Sequence, residues 1–147
     1  MFLPNKSNLK FKNYHRAHII ARTSKSLTPF LKAGTLALKI LNFGFLFPNQ
    51  LKALYLTLNK ILKKKGIIYI FAFPNGSLTS KSLGARMGKG KGKILSNWVF
   101  KIKAGFILCE IHTNFISLAT KALKLAQYKI PLMSKIIRNN RKNLLTF

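Results

Sequence analysis

An α+β fold is expected for this chain: a mixed or antiparallel sheet with two helices packed on it and basic extended segments at both ends. Three observations lead there. Apolar residues recur at helical spacing after Pro48 and again after Asn114. Around these stretches lie short runs of β-branched and aromatic residues bounded by turn signals. Finally, 27 Lys and Arg stand against a single acid, Glu110, giving a formal net charge of +26 over 147 residues. That length suits one domain, and the 48% apolar content is enough for a core.

Residues 1–28 carry Lys6, Lys10, Lys12, His15, Arg16, His18, Arg22 and Lys25 with few periodic apolar positions, which reads as an extended arm ordered against a partner. Phe11, Tyr14 and the Ile19-Ile20 pair among these cations suit base stacking and phosphate contact. The folded domain is expected over residues 29–133. Alternation from Leu36 to Ile40 predicts a strand. Pro48 then opens a helix at a position where its missing N–H does no harm. Its apolar face is Leu51, Leu54, Tyr55, Leu58, Ile61 and Leu62, and Gly66 is the expected stop. Lys52, Lys60, Lys63, Lys64 and Lys65 fall off that face, and the basic end reads equally well as a solvated cap or an RNA contact.

Residues 67–73 form the next strand, closing at a Pro74-Asn75-Gly76 turn. Residues 81–87 are expected as a strand leading into a basic loop that spans 80–96. Residues 97–103 follow, with Trp98, Phe100 and Ile102 on one face and Val99, Lys101 and Lys103 on the other. Trp98 reads as core. Ala104-Gly105 predicts a hairpin turn and 106–111 the returning strand. The second helix runs from 114 or 115 to 129, with Asn114 as cap and Ile116, Ala119, Leu123 and Ala126 inward, and Pro131 breaks it. Residues 132–137 suggest a last strand, and the C-terminal segment 134–147 is basic, with Arg138, Arg141 and Lys142 expected on RNA.

The charge restricts the function classes. A small domain at +26 repels itself unless counter-charge comes from outside, so nucleic acid or an anionic membrane is the expected partner. One cysteine, Cys109, excludes an internal disulfide and a cysteine zinc cluster. His15 and His18 lie three apart without further ligands nearby, and read as phosphate contacts or a solvated face rather than a metal site. A single carboxylate excludes paired-acid mechanisms, and Cys109 and His112, three apart on a strand, point to opposite faces. No enzyme, cofactor, metal or small-molecule substrate is expected. No apolar run reaches the ~18 residues of a membrane span, so membrane insertion is not expected either.

The most distinctive stretch is Ser80-Lys81-Ser82-Leu83-Gly84-Ala85-Arg86-Met87-Gly88-Lys89-Gly90-Lys91-Gly92-Lys93. Glycine lets the backbone approach another surface without a Cβ in the way, and each lysine adds a mobile point charge. Neither the P-loop nor the dinucleotide spacing is met. The natural counterpart is a polyanion. The run from Arg86 to Gly92, the Trp98-Val99 pair and the strand Phe106-Ile-Leu-Cys-Glu-Ile111 together resemble the large-subunit ribosomal protein family called L-sixteen in bacteria and organelles. Leu3-Pro4 and Phe11-Lys12-Asn13-Tyr14-His15-Arg16 agree with it, and the resemblance covers about residues 3–133.

The resemblance implies an α/β-hammerhead fold and a place in the large subunit at the base of the central protuberance, shaping the A-site and peptidyl transferase region. Partners would be large-subunit rRNA, A-site and P-site tRNA and neighbouring ribosomal proteins. The family's glycine-lysine loop points toward the tRNA acceptor arms, so tRNA proximity carries over to Arg86, Met87, Gly88, Lys89, Gly90, Lys91 and Gly92, with Lys81 and Lys93 flanking. Two departures stand out. Ser82 replaces a family proline, and Phe43 and Phe45 flank Gly44 where the family places arginines. Either an RNA contact is lost at Gly44 or a protein neighbour covers it.

A cationic membrane-surface protein or a nucleic-acid-compacting protein would also tolerate the charge. Neither gives a reason for the glycine-lysine loop or the strand-rich middle. The abundance of Lys, Asn, Ile, Leu and Phe matches an AT-rich genome, and the family-like residues begin at Leu3-Pro4 with no room for a leader. An organelle-encoded protein is therefore expected, in the mitochondrial matrix before the plastid.

Overall fold

The computed structural model describes Asn13–Tyr14, Leu31 and residues 34–74, 76–88, 90 and 92–139, with backbone alone for 13–14 and 93–97. The elements are β1 (Asn13–Tyr14), β2 (Leu36–Ile40), β3 (Gly44–Leu46), α1 (Pro48–Leu62), β4 (Ile67–Ile70), β5 (Gly76–Ser80), β6 (Lys93–Ile102), β7 (Ile107–His112), α2 (Ile116–Gln127) and β8 (Ser134–Arg138). The α+β class holds. The strands, however, divide into two four-stranded sheets, β1-β5-β6-β3 and β4-β7-β2-β8. All pairs are antiparallel except β1 with β5.

The turn at Ala104-Gly105 is where the sequence reading and the structure part. It is a turn, with Gly105 at φ 89, but not a hairpin: β6 and β7 belong to different sheets. Its backbone is held by β2 instead, since Gly105 N–H donates to Ile40 O at 2.7 Å and Ile40 N–H to Phe106 O at 2.8 Å. The chain thereby passes from one sheet to the other at the end of β2. Residues 81–87 also differ, because β5 ends at Ser80 and a turn closed by Ala85 N–H to Ser82 O takes over.

Helix α1 buries Leu51, Leu54, Leu58 and Leu62, the 3.6-residue stripe that fills the space between the sheets and α2. Tyr55, expected inside, stays exposed on the flank. At the helix start Gln50 Oε1 accepts from Phe47 N–H at 3.0 Å, half of a capping box. At its end the expected glycine stop fails: Lys63 and Lys64 take left-handed φ of 45 and 64. Gly66 is needed elsewhere, because a Cβ there would stand 3.0 Å from both His112 O and Thr113 Cβ. Close approach claims the glycine, and two lysines accept backbone strain of about 1–2 kcal/mol each.

Helix α2 buries Ala119, Ala122, Leu123 and Ala126. Its cap is Phe115 rather than Asn114; Thr113 Oγ1 accepts from Phe115 N–H at 3.1 Å and donates to Lys65 O at 2.6 Å. The two helix ends are thus tied together through one hydroxyl. Ser134–Arg138 pairs with the whole of β2, and Asn139 N–H donates to Thr35 O at 2.9 Å.

Candidate nucleic-acid interface

β5 and β6 form a hairpin whose last pair is Ser80 with Lys93, so residues 81–92 are its connection. Among its described residues, 81–88 and 90 are exposed, Gly92 is half-buried, and Leu83 and Met87 are fully exposed. Large apolar side chains at full exposure on a loop tip contribute nothing to this domain's core. Gly84, Gly88 and Gly90 adopt φ of 80, 95 and 79, conformations that glycine alone visits cheaply. At the neck Gly92 lies so close to the Ser80 carbonyl that any Cβ would overlap it. A strut crosses the loop as well, Lys81 Nζ donating to Gly88 O. The loop is therefore narrow at its base and held partway up, with Arg86 and Met87 presented outward. Lys89 and Lys91 lie outside the described residues.

Among the described side chains every lysine and arginine except half-buried Lys39 is exposed. Lys63, Lys64 and Lys65 crowd one turn, with the Lys65 ammonium 5.4 Å from the centre of the Phe115 ring. Arg138 stands exposed at the end of β8. Tyr14 is described as backbone only, pairing with Leu78. Lys6, Lys10, Lys12, His15, Arg16, His18, Arg22, Lys25, Arg141 and Lys142 lie outside the described residues. Of the predicted site, the structure thus brings together Lys81, Arg86, Met87, Gly88, Gly90 and Gly92 on one projecting hairpin.

Among the described residues the interior holds one cysteine and one acid, and neither offers competing chemistry. Burial pushes the Cys109 thiol up to about 12; a hydrogen bond with the Leu38 backbone works against this and neighbouring Glu110 adds to it. A thiol held protonated is neither nucleophile nor metal ligand at neutral pH. Cys109 is buried, whereas His112 is exposed at the end of β7. Glu110 is fully buried and accepts from Gly34 N–H at 2.9 Å, tying the start of β2 to β7.

Sequence reasoning missed one cluster. Phe43 and Phe45 meet edge to face with centroids 5.5 Å apart, and Lys101 Nζ sits 5.4 Å from the centre of the Phe43 ring. The two aromatics were visible in the sequence, but their partner on β6 depends on strand register.

The sequence pattern of the family described as "Ribosomal protein L16p/L10e" matches residues 9–137. Large ribosomal subunit protein uL16c of Euglena longa is 35% identical over 95% of this chain and 100% of that protein. The uL16c protein of Cyanidium caldarium is 31% identical over 95% of this chain and 96% of its own length. Large ribosomal subunit protein uL16 of Leuconostoc citreum is 32% identical over 93% and 96%. The chain belongs to the ribosomal protein L16p/L10e family and is, by that membership, a structural constituent of the large ribosomal subunit rather than an enzyme.

Proposed function

We propose that the chain binds large-subunit rRNA and neighbouring ribosomal proteins and carries loop 81–92 toward the acceptor arms of A-site and P-site tRNA beside the peptidyl transferase centre. The observation that carries this reading is the loop itself: a narrow, strutted hairpin tip whose exposed side chains serve nothing inside the domain. The rRNA contacts are assigned to the N-terminal cations Lys6, Lys10, Lys12, His15, Arg16, His18, Arg22 and Lys25 with Tyr14, and to Arg138, Arg141 and Lys142. The plastid and bacterial relatives support an organellar ribosome. A mitochondrial site rests on the AT-rich composition alone, and the uL16c relatives support the plastid.

If the loop serves tRNA, it matters for translation more than for binding. Removing Lys89 and Lys91 takes away at most two phosphate contacts among many. Removing Arg86 takes away a planar group able to bridge a phosphate and a base edge, which lysine cannot imitate. Arg86→Ala with Lys89→Ala and Lys91→Ala is expected to assemble into large subunits at parental levels by sedimentation. Those particles are expected to transfer peptide at least tenfold more slowly. Normal peptidyl transfer with defective incorporation would make the loop an ordinary rRNA anchor.

A further inference from the structure

The outward face of the β3–β6 pair gathers aromatic rings and cations. In the register of this pair Gly44 lies opposite Ile102, Phe45 opposite Lys101 and Leu46 opposite Phe100. Side chains alternate across a strand, so Leu46 and Ile102, both fully buried, define the inward face. Phe45 and Lys101 share the outward one. Phe43, two residues before Phe45, joins them through its edge-to-face contact with Phe45 and the Lys101 ammonium 5.4 Å from its ring centre, and Lys103 follows two residues after Lys101. Lys101 and Lys103 are exposed, and both rings keep part of their surface in solvent. Gly44 fixes the strand from behind, because any Cβ there would overlap Leu132. β3 is also an edge strand, so among the described elements no further strand covers this corner.

Two aromatic rings and two ammonium groups on one outward sheet face suit a single chemistry. An unpaired nucleobase has a π-face to lay on a ring, and the phosphate attached to it meets a cation. A protein segment would need both an apolar side chain and a carboxylate in that spacing. We propose that Phe43, Phe45, Lys101 and Lys103 form a platform on which one unpaired RNA base stacks while the lysines hold its flanking phosphate. This rests on the rRNA-binding reading above and adds a base-stacking contact where charge alone would give only phosphate contacts.

The test titrates the full-length chain with short single-stranded oligoadenylate and with an abasic oligomer of the same length and charge, at several salt concentrations. The parent is expected to prefer oligoadenylate by about fivefold to tenfold. Phe43→Leu with Phe45→Leu keeps apolar side chains on the outward face but removes the rings. That variant is expected to lose most of the preference, with unchanged affinity for the abasic oligomer and an unchanged salt slope. Lys101→Ala is expected to weaken both probes and to reduce the slope by about 1. A preference that survives in the double leucine variant overturns the platform. So does equal affinity of the parent for both probes, which would leave the corner to a protein neighbour. If neither probe binds in a salt-dependent way, the rRNA-binding reading falls along with the platform.

Discussion

Raising monovalent salt from 50 to 200 mM will weaken binding of the full-length chain to large-subunit RNA by about four orders of magnitude. Each phosphate neutralised by a lysine or arginine releases condensed counterions, and log K falls against log salt with a slope of about −0.7 to −0.9 per contact. If roughly eight of the 27 cations engage phosphate, the slope is about −6 to −7. The lysines and arginines with described side chains favour such a number, since all but Lys39 are exposed. With one acidic residue in the whole chain, and that residue buried on β7, no acidic side chain is exposed to hold them back. Filter binding or fluorescence anisotropy over a salt series measures the slope. A slope shallower than about −3 would show that charge does not dominate the contact.

The second large effect concerns the buried acid and the glycine opposite it. Gly34 N–H donates to Glu110 Oε2 at 2.9 Å, and a Cβ on Gly34 would stand 2.7 Å from Glu110 Cβ and 3.1 Å from the backbone N and O of Ile111. Two of these three neighbours are strand backbone and cannot swing aside. Thr35 extends the same attachment, its N–H donating to Ile111 O at 2.8 Å and its hydroxyl to the same oxygen at 3.0 Å. Gly34→Val must push β2 away from β7 in the centre of the β4-β7-β2-β8 sheet. The expected cost is about 3 kcal/mol, the upper end for overpacking. For a chain of this size that lowers Tm by roughly 10 °C. Melting followed by circular dichroism at high salt, where self-repulsion is screened, checks it. A variant melting within 2 °C of the parent would mean that the contact yields.

Much of this was legible in the sequence where a single element decides the outcome. The α1 stripe is one such case, because Leu51, Leu54, Leu58 and Leu62 need only the period of one helix to declare their face. The glycine-rich run from Gly84 to Gly92 is another, since glycines mark a loop before any partner is known, and residues 84–88 and 90 within it are exposed. What escaped depends on partners distant in sequence. Ala104-Gly105 has the residues of a tight turn whether the next strand returns to its neighbour or crosses to a second sheet. Only the hydrogen bonds from Ile40 decide between the two. Gly66 looks like a helix stop until Thr113 is seen pressed against it, and the stop then falls to Lys63 and Lys64. The narrow neck of the loop requires Gly92 beside Ser80, and the aromatic corner requires Lys101 opposite Phe45. Both follow from strand register, which local pattern does not encode.

The measurement closest to the central claim asks what the loop tip touches. Cys109 is buried and its thiol is held protonated, so Met87→Cys, at a fully exposed position, places one reactive thiol at the tip. Coupled to a photoreactive maleimide and assembled into large subunits, that residue reports its neighbours on illumination. With tRNA in the A site, crosslinks are expected in the tRNA acceptor arm, and they should disappear when the site is empty. Crosslinks confined to rRNA or ribosomal proteins, unchanged by tRNA, would contradict the account.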